Sequence, residues 1–254
     1  MKIELKPVTL EQLPLLKEQL PKLQTGDCNL SIASVIGRAE EYQIKWGLVE
    51  GELVLNWMPY PDIPAAYVLP LQSENILKIM QTLECSCKDC KEPLILFGRF
   101  TYMTEKISEL MRYRNFITVS SNSWWDYVYD RSRIETLEGR DLHGKRNFNK
   151  RFYKAYPDAA FVPLDAPMIE KCRGFLAKWY EAHGEMTESL QAEKVAIEFA
   201  FDHFEDFGLI GGALVNGDDI FGFTYGSGVG GDIFSVHIEK ADRNVTGAYP
   251  ALAS

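Results

Sequence analysis

The sequence predicts an α/β protein made of two successive halves, and three observations carry that prediction. Short apolar runs bounded by Gly, Pro and Asn-Gly alternate with segments whose apolar residues recur at helical spacing. The same coarse plan starts again after about residue 157. With 254 residues, 46% of them hydrophobic and 25% charged, the chain is long enough for two cores of about 125 residues each.

In the first half, Ile3 to Val8 alternates apolar and polar residues as a half-buried strand does. Leu10, Leu13, Leu16 and Leu20 follow at the spacing of an amphipathic helix, with Pro21 as its terminator. Tyr42 to Leu48, Leu53 to Met58 and Ala66 to Leu71 read as strands, separated by Glu50-Gly51-Glu52 and a proline-rich loop. Ser73 opens a helix through Ile76, Ile79, Met80 and Leu83. Pro93 to Gly98 reads as a buried strand, Thr104 to Met111 as a helix and Phe116 to Ser120 as a strand.

The second half repeats the alternation. Leu142 to Tyr156 has helical periodicity, and Ala160 to Val162 is a short strand. Pro167 opens a helix that places Ile169, Cys172, Phe175, Leu176 and Trp179 on one face and stops near His183-Gly184. A longer helix runs from Ser189 to Phe207. Leu209 to Val215 and Ile220 to Tyr225 form a β-hairpin across Asn216-Gly217-Asp218-Asp219, and Asp232 to Glu239 is a further strand.

Composition narrows the function classes. A net charge of -9 excludes a protein whose whole surface coats nucleic acid or anionic lipid, so any such contact is local. No apolar run approaches the ~18 residues of a membrane span, and Met1 leads into a strand rather than a signal peptide, which together predict a cytoplasmic protein. Five cysteines, an odd number, suit a reducing compartment. Cys85-x-Cys87-x-x-Cys90 offers three thiolates without an evident fourth ligand, so it reads as a helix end and loop, and no metal is expected.

One segment runs against the acidic background. Between Asp130 and Lys154 lie eight basic and four acidic residues, a local balance of +4. On a helix, Phe148, Phe152 and Ala155 share one face while Arg146, Lys150 and Lys154 lie opposite. Such a stripe attracts phosphates, although charge alone favours a solvated helix face.

The same region carries a family resemblance. Asp126-Tyr127-Val128-Tyr129, Leu137-Glu138-Gly139 and Lys145-Arg146-Asn147 with Phe152 are followed by Trp179, by Glu193 with Ala196-Ile197, and by His237-Ile238-Glu239-Lys240-Ala241-Asp242 with Gly247-Ala248-Tyr249. This pattern resembles the lysyltransferase-like catalytic region of the aminoacyl-phosphatidylglycerol synthases and their soluble relatives. The resemblance covers most of the chain and is strongest after residue 120. It implies two GNAT-like (N-acyltransferase-type) halves in tandem, at 1–130 and 131–254, the second C-terminally incomplete. It also implies an aminoacyl-tRNA donor, a phospholipid or small amine acceptor and no bound cofactor.

Within that frame the strand Asp232 to Glu239 stands out. Its pleat puts Phe234, Val236 and Ile238 on one face and Ser235, His237 and Glu239 on the other, where a central strand would be apolar on both. The polar face is expected to look into a cavity, with His237 or Glu239 deprotonating the acceptor and Lys240 balancing negative charge. An edge strand wetted by solvent would show the same pattern. Lys145, Arg146, Asn147, Lys150 and Arg151 are the expected donor contacts, with Gly247 and Tyr249 at the helix start where a GNAT fold receives a pyrophosphate. A single glycine there gives coenzyme A only weak support.

The expected activity is transfer of an aminoacyl or acyl group to a hydroxyl or amine. The alternatives are an acyl-CoA-dependent N-acyltransferase and a non-catalytic module for RNA, nucleotide or anionic lipid. Because the family pattern runs on past Gly247-Ala248-Tyr249, the second sheet is expected to keep an open edge, covered either by self-association or by a contact from the first half.

Overall fold

Apolar periodicity sets the first helix. α1 (Leu13–Leu23) buries Leu16, Leu20 and Leu23 along one face. Pro21 lies inside its last turns instead of ending it, so the helix continues there without one backbone hydrogen bond. The computed structural model describes residues 3–23, 26–58, 64–98, 108–109, 111–112, 114–117, 119 and 125–253. The predicted helix at Thr104 to Met111 and strand at Phe116 to Ser120 fall largely outside them.

The chain forms two compact units, residues 1–125 with 228–233 and residues 126–227 with 234–254. Each holds one four-stranded antiparallel sheet whose strands lie in sequence order. In the first, the order is β1 (Lys6–Pro7), β2 (Lys45–Val49), β3 (Glu52–Trp57) and β4 (Ala66–Val68). After the short α2 (Ile32–Gly37), the β2–β3 hairpin turns on Glu50 and Gly51, both at positive φ, as a tight two-residue turn demands. α3 (Ile76–Cys90) packs Ile79, Met80 and Leu83 against Val54, Tyr67 and Leu69. Pro93 to Gly98 is not a full strand. It makes a single parallel bridge, Leu96 to Tyr67, in which Tyr67 N donates to Ile95 O and Phe97 N to Tyr67 O.

The second unit begins with α4 (Arg131–Thr136) and α5 (His143–Ala155), then β5 (Ala160–Pro163), α6 (Ala166–His183) and α7 (Glu188–Asp202). The sheet is completed by β6 (Ile210–Asn216), β7 (Asp219–Gly228) and β8 (Phe234–Ala241), and α8 (Ala248–Leu252) follows. α7 is shorter than its periodicity predicted. Thr187 Oγ1 caps its start by accepting from Leu190 N, and His203 closes it four residues before Phe207. Gly222 of β7 has no room for a side chain, since a Cβ there would come within 2.6 Å of Lys240 O on β8.

The inner face of α5 differs from the expected one. Phe152 is fully buried and Leu142 nearly so, with Tyr156 half-buried, whereas Phe148 is 45% exposed and Ala155 is exposed. The 3.6-residue period therefore runs through Leu142, Asn149, Phe152 and Tyr156, a rotation away from the Phe148 side. Phe152 packs with Leu214, Phe221, Ala248 and Leu252, joining α5, the sheet and α8 in one core. No helix among the described residues is long and apolar enough to cross a membrane.

Candidate active site

The pleat of β8 separates the three residues expected to act in catalysis. His237 and Glu239 lie on one face and Lys240 on the other. The burial of the two faces inverts the usual order, because Phe234 and Val236 are 51% and 58% exposed while His237 and Glu239 are half-buried. β8 is the last strand of the sheet, so its apolar face at that end lacks a neighbouring strand's side chains beside it.

His237 Nε2 lies 2.8 Å from the Oγ of Ser227, a buried residue near the end of β7. Burial lowers the imidazole pKa to about 4, so at neutral pH the ring is uncharged and one nitrogen accepts a proton or hydrogen bond. Burial raises the Glu239 carboxyl above its ordinary range, and Lys145 pulls it back down. Lys145 comes from α5, and its ammonium also lies 5.7 Å from the centroid of the Tyr129 ring. One cation of the basic helix thus acts on the carboxylate of the polar face.

Lys240 does not join that group. Only 6% exposed, it places Nζ 2.6 Å from Glu193 Oε1 and 4.1 Å from the centroid of the Trp179 ring. Tyr180 Oη donates to the same Glu193 oxygen at 3.1 Å, and Trp179 Nε1 donates to Ala241 O at 3.0 Å. Desolvation, reinforced by Glu193, raises the Tyr180 hydroxyl pKa, so that group remains a proton donor. These contacts clamp the end of β8 to α6 and α7. A buried lysine already matched by a carboxylate has little charge to offer a substrate on the far face.

The expected donor contacts divide in the same way. Lys145, Asn147, Lys150 and Arg151 are exposed on α5. Arg146 turns inward, donating to Leu137 O and to Gly139 O at 2.9 Å, and so closes the turn that precedes the helix. Gly247, at φ 89°, starts α8 directly against α5: a Cβ there would lie 3.0 Å from both Phe148 O and Phe152 Cβ. Tyr249 packs half-buried on the Phe152 core. Gly247 and Tyr249 therefore serve packing, with Gly247 seated against the Phe148–Phe152 side of α5.

Ser227, Glu193 and Tyr180 were not picked out as site residues by sequence reasoning. Ser227 is found only through the packing of β7 beside β8. The three cysteines lie at the end of α3, with Cys85 and Cys90 exposed and Cys87 buried. Burial raises the Cys87 thiol pKa.

Three comparisons bear on this geometry. A family profile described as "Phosphatidylglycerol lysyltransferase, C-terminal" matches residues 46–254, which takes in the first sheet from β2 onward and the whole second sheet. Curated proteins give no match. Among solved structures, a conserved protein of unknown function from Bacteroides thetaiotaomicron VPI-5482 is similar with a TM-score of 0.86 and 26% identity, over 99% of this chain and 84% of that one. The profile's extent, most of the chain from β2 to the last residue, places this protein in the phosphatidylglycerol lysyltransferase C-terminal family.

Proposed function

We propose that the protein transfers an aminoacyl group from an aminoacyl-tRNA to a hydroxyl or amine acceptor, with His237 as general base and Glu239 beside it. In this reading each unit is a GNAT-like half, and the exposed cations of α5 contact the RNA backbone. The observation that carries the proposal is the covered polar face of β8, where a neutral imidazole and a partly desolvated carboxyl stand two residues apart. His237 takes the proton of the acceptor O–H or N–H as that atom attacks the ester carbonyl carbon. The tetrahedral intermediate then expels the ribose oxygen of the tRNA terminus, which takes up a proton. Ser227, hydrogen-bonded to Nε2, orients the ring.

The close seat of Gly247 on α5 favours an aminoacyl ester over coenzyme A, because the Phe148 carbonyl and Phe152 Cβ crowd the start of α8 where a pyrophosphate would sit. The test assays purified protein with charged tRNA plus phosphatidylglycerol, beside acetyl-CoA plus a panel of amines. Turnover in the first arm that drops by about 100-fold or more in Glu239→Gln and His237→Gln, with folding intact, is the expected result. Turnover only with acetyl-CoA would replace the donor, and no turnover in either arm, with RNA binding retained, would make the protein a binding module.

A further inference from the structure

On the α6 side of the second sheet lies a cleft of about 840 Å³. One wall is a stripe of α6, with Lys171, Phe175 and Lys178 at helical spacing and Gly174 between them leaving open space. The opposite wall is the β6–β7 turn with Asp218 and Asp219, and Asp242 to Asn244 closes one end. Trp179 also borders the cleft, but its ring is occupied by Lys240 at 4.1 Å and by His183, stacked at 4.7 Å.

The charges of this cleft are not ion-paired, although Arg243 lies over the Trp179 ring at 5.6 Å. Lys171, Lys178 and Arg243 make no ion pair within 4.0 Å among the described residues, and neither do Asp218 and Asp219. Asp242 differs, since its Oδ1 is used by Asn244, accepting from N at 2.8 Å and Nδ2 at 3.0 Å. Lys171 and Lys178 are seven residues apart on one helix, about 10 Å along its axis. Opposite charges that face each other across an open cleft without meeting suit a guest carrying both signs. A purely anionic guest is drawn to one wall and repelled by the other.

We propose that this cleft binds a zwitterionic phosphate ester, with its phosphate against Lys171, Lys178 and Arg243 and its ammonium against Asp218 and Asp219. The apolar carbons of the guest lie over Phe175. The site is separate from the proposed active site: His237 and Glu239 occupy the other face of β8, and no lining residue of the cleft belongs to that face. It needs no catalysis, so its test is binding alone.

Calorimetric titration of the whole protein with O-phosphoethanolamine, glycerol 3-phosphate and ethanolamine separates the contributions. The expected order puts phosphoethanolamine about tenfold tighter than either of the others at low ionic strength. Asp218→Asn with Asp219→Asn should erase that preference, leaving phosphoethanolamine and glycerol 3-phosphate equal. Lys178→Gln with Arg243→Gln should weaken both phosphates alike, while Glu239→Gln leaves all three affinities unchanged. Thermal melts of each variant confirm a folded protein. Equal affinity for all three probes, no saturation of the wild type by about 10 mM, or affinities indifferent to the cleft substitutions would each overturn the proposal.

Discussion

At the scale of single residues, the proposed chemistry turns on which face of β8 a side chain occupies. His237 and Lys240 are three positions apart, and the strand's two-residue period sends one to the covered polar face and the other into a clamp with Glu193. Burial of His237 has a consequence for stability. Its folded pKa of about 4 lies below the ordinary 6.5, so between those values the unfolded chain binds more protons. Its contribution is complete above pH 6.5 and is lost as pH falls toward 4, by about 3 kcal/mol in all. Glu239, whose pKa is raised, works in the opposite sense, and the difference between wild type and His237→Gln isolates the histidine. Denaturant unfolding from pH 7 to pH 4 should show a shallower loss of stability in His237→Gln; parallel curves would mean that the imidazole is not desolvated.

Among elements, α5 is the one whose role the structure redistributes. Its cations do two jobs, since Lys145, Lys150 and Arg151 are exposed whereas Arg146 holds the carbonyls of the Leu137–Gly139 turn. The seat of α8 on α5 depends on Gly247, whose positive φ and lack of a side chain both matter. Gly247→Ala should therefore cost about 1–3 kcal/mol, from an unfavourable left-handed backbone and a crowded Cβ together. A thermal melt reads this directly, and a melting temperature equal to wild type would show that α8 does not pack on α5 as described. Arg146→Glu should likewise act on stability first, unlike substitutions at its exposed neighbours.

For the whole molecule the decisive quantity is the distribution of charge. A net charge of -9 repels a polyanion, and the local excess between Asp130 and Lys154 has to overcome that repulsion. Reversal of Lys150 and Lys154 to Glu should weaken binding of tRNA and flatten its dependence on salt, the slope falling by roughly one for each phosphate that is no longer neutralised. Filter binding across a salt series measures both, and an unchanged slope would remove α5 from the proposed RNA interface. The two units each carry an antiparallel sheet with its strands in sequence order, so a similar local plan is built twice.

The sequence alone determined the α/β class, the β6–β7 hairpin, the position of β8 and the extent of α5, because these rest on local periodicity and turn chemistry that need no distant partner. Family membership was legible too, carried by residues from Asp126 onward. What only the tertiary structure decided is which side of each element faces inward. Periodicity fixes which residues share a face but not how that face is rotated in the packing, and so Phe148 and Arg146 exchanged their expected environments on α5. The partners of β8 were hidden for a related reason: Ser227 lies 10 positions and Glu193 47 positions from the histidine or lysine each one holds. Contacts at such separations are set by strand register and helix packing, neither of which a linear pattern encodes.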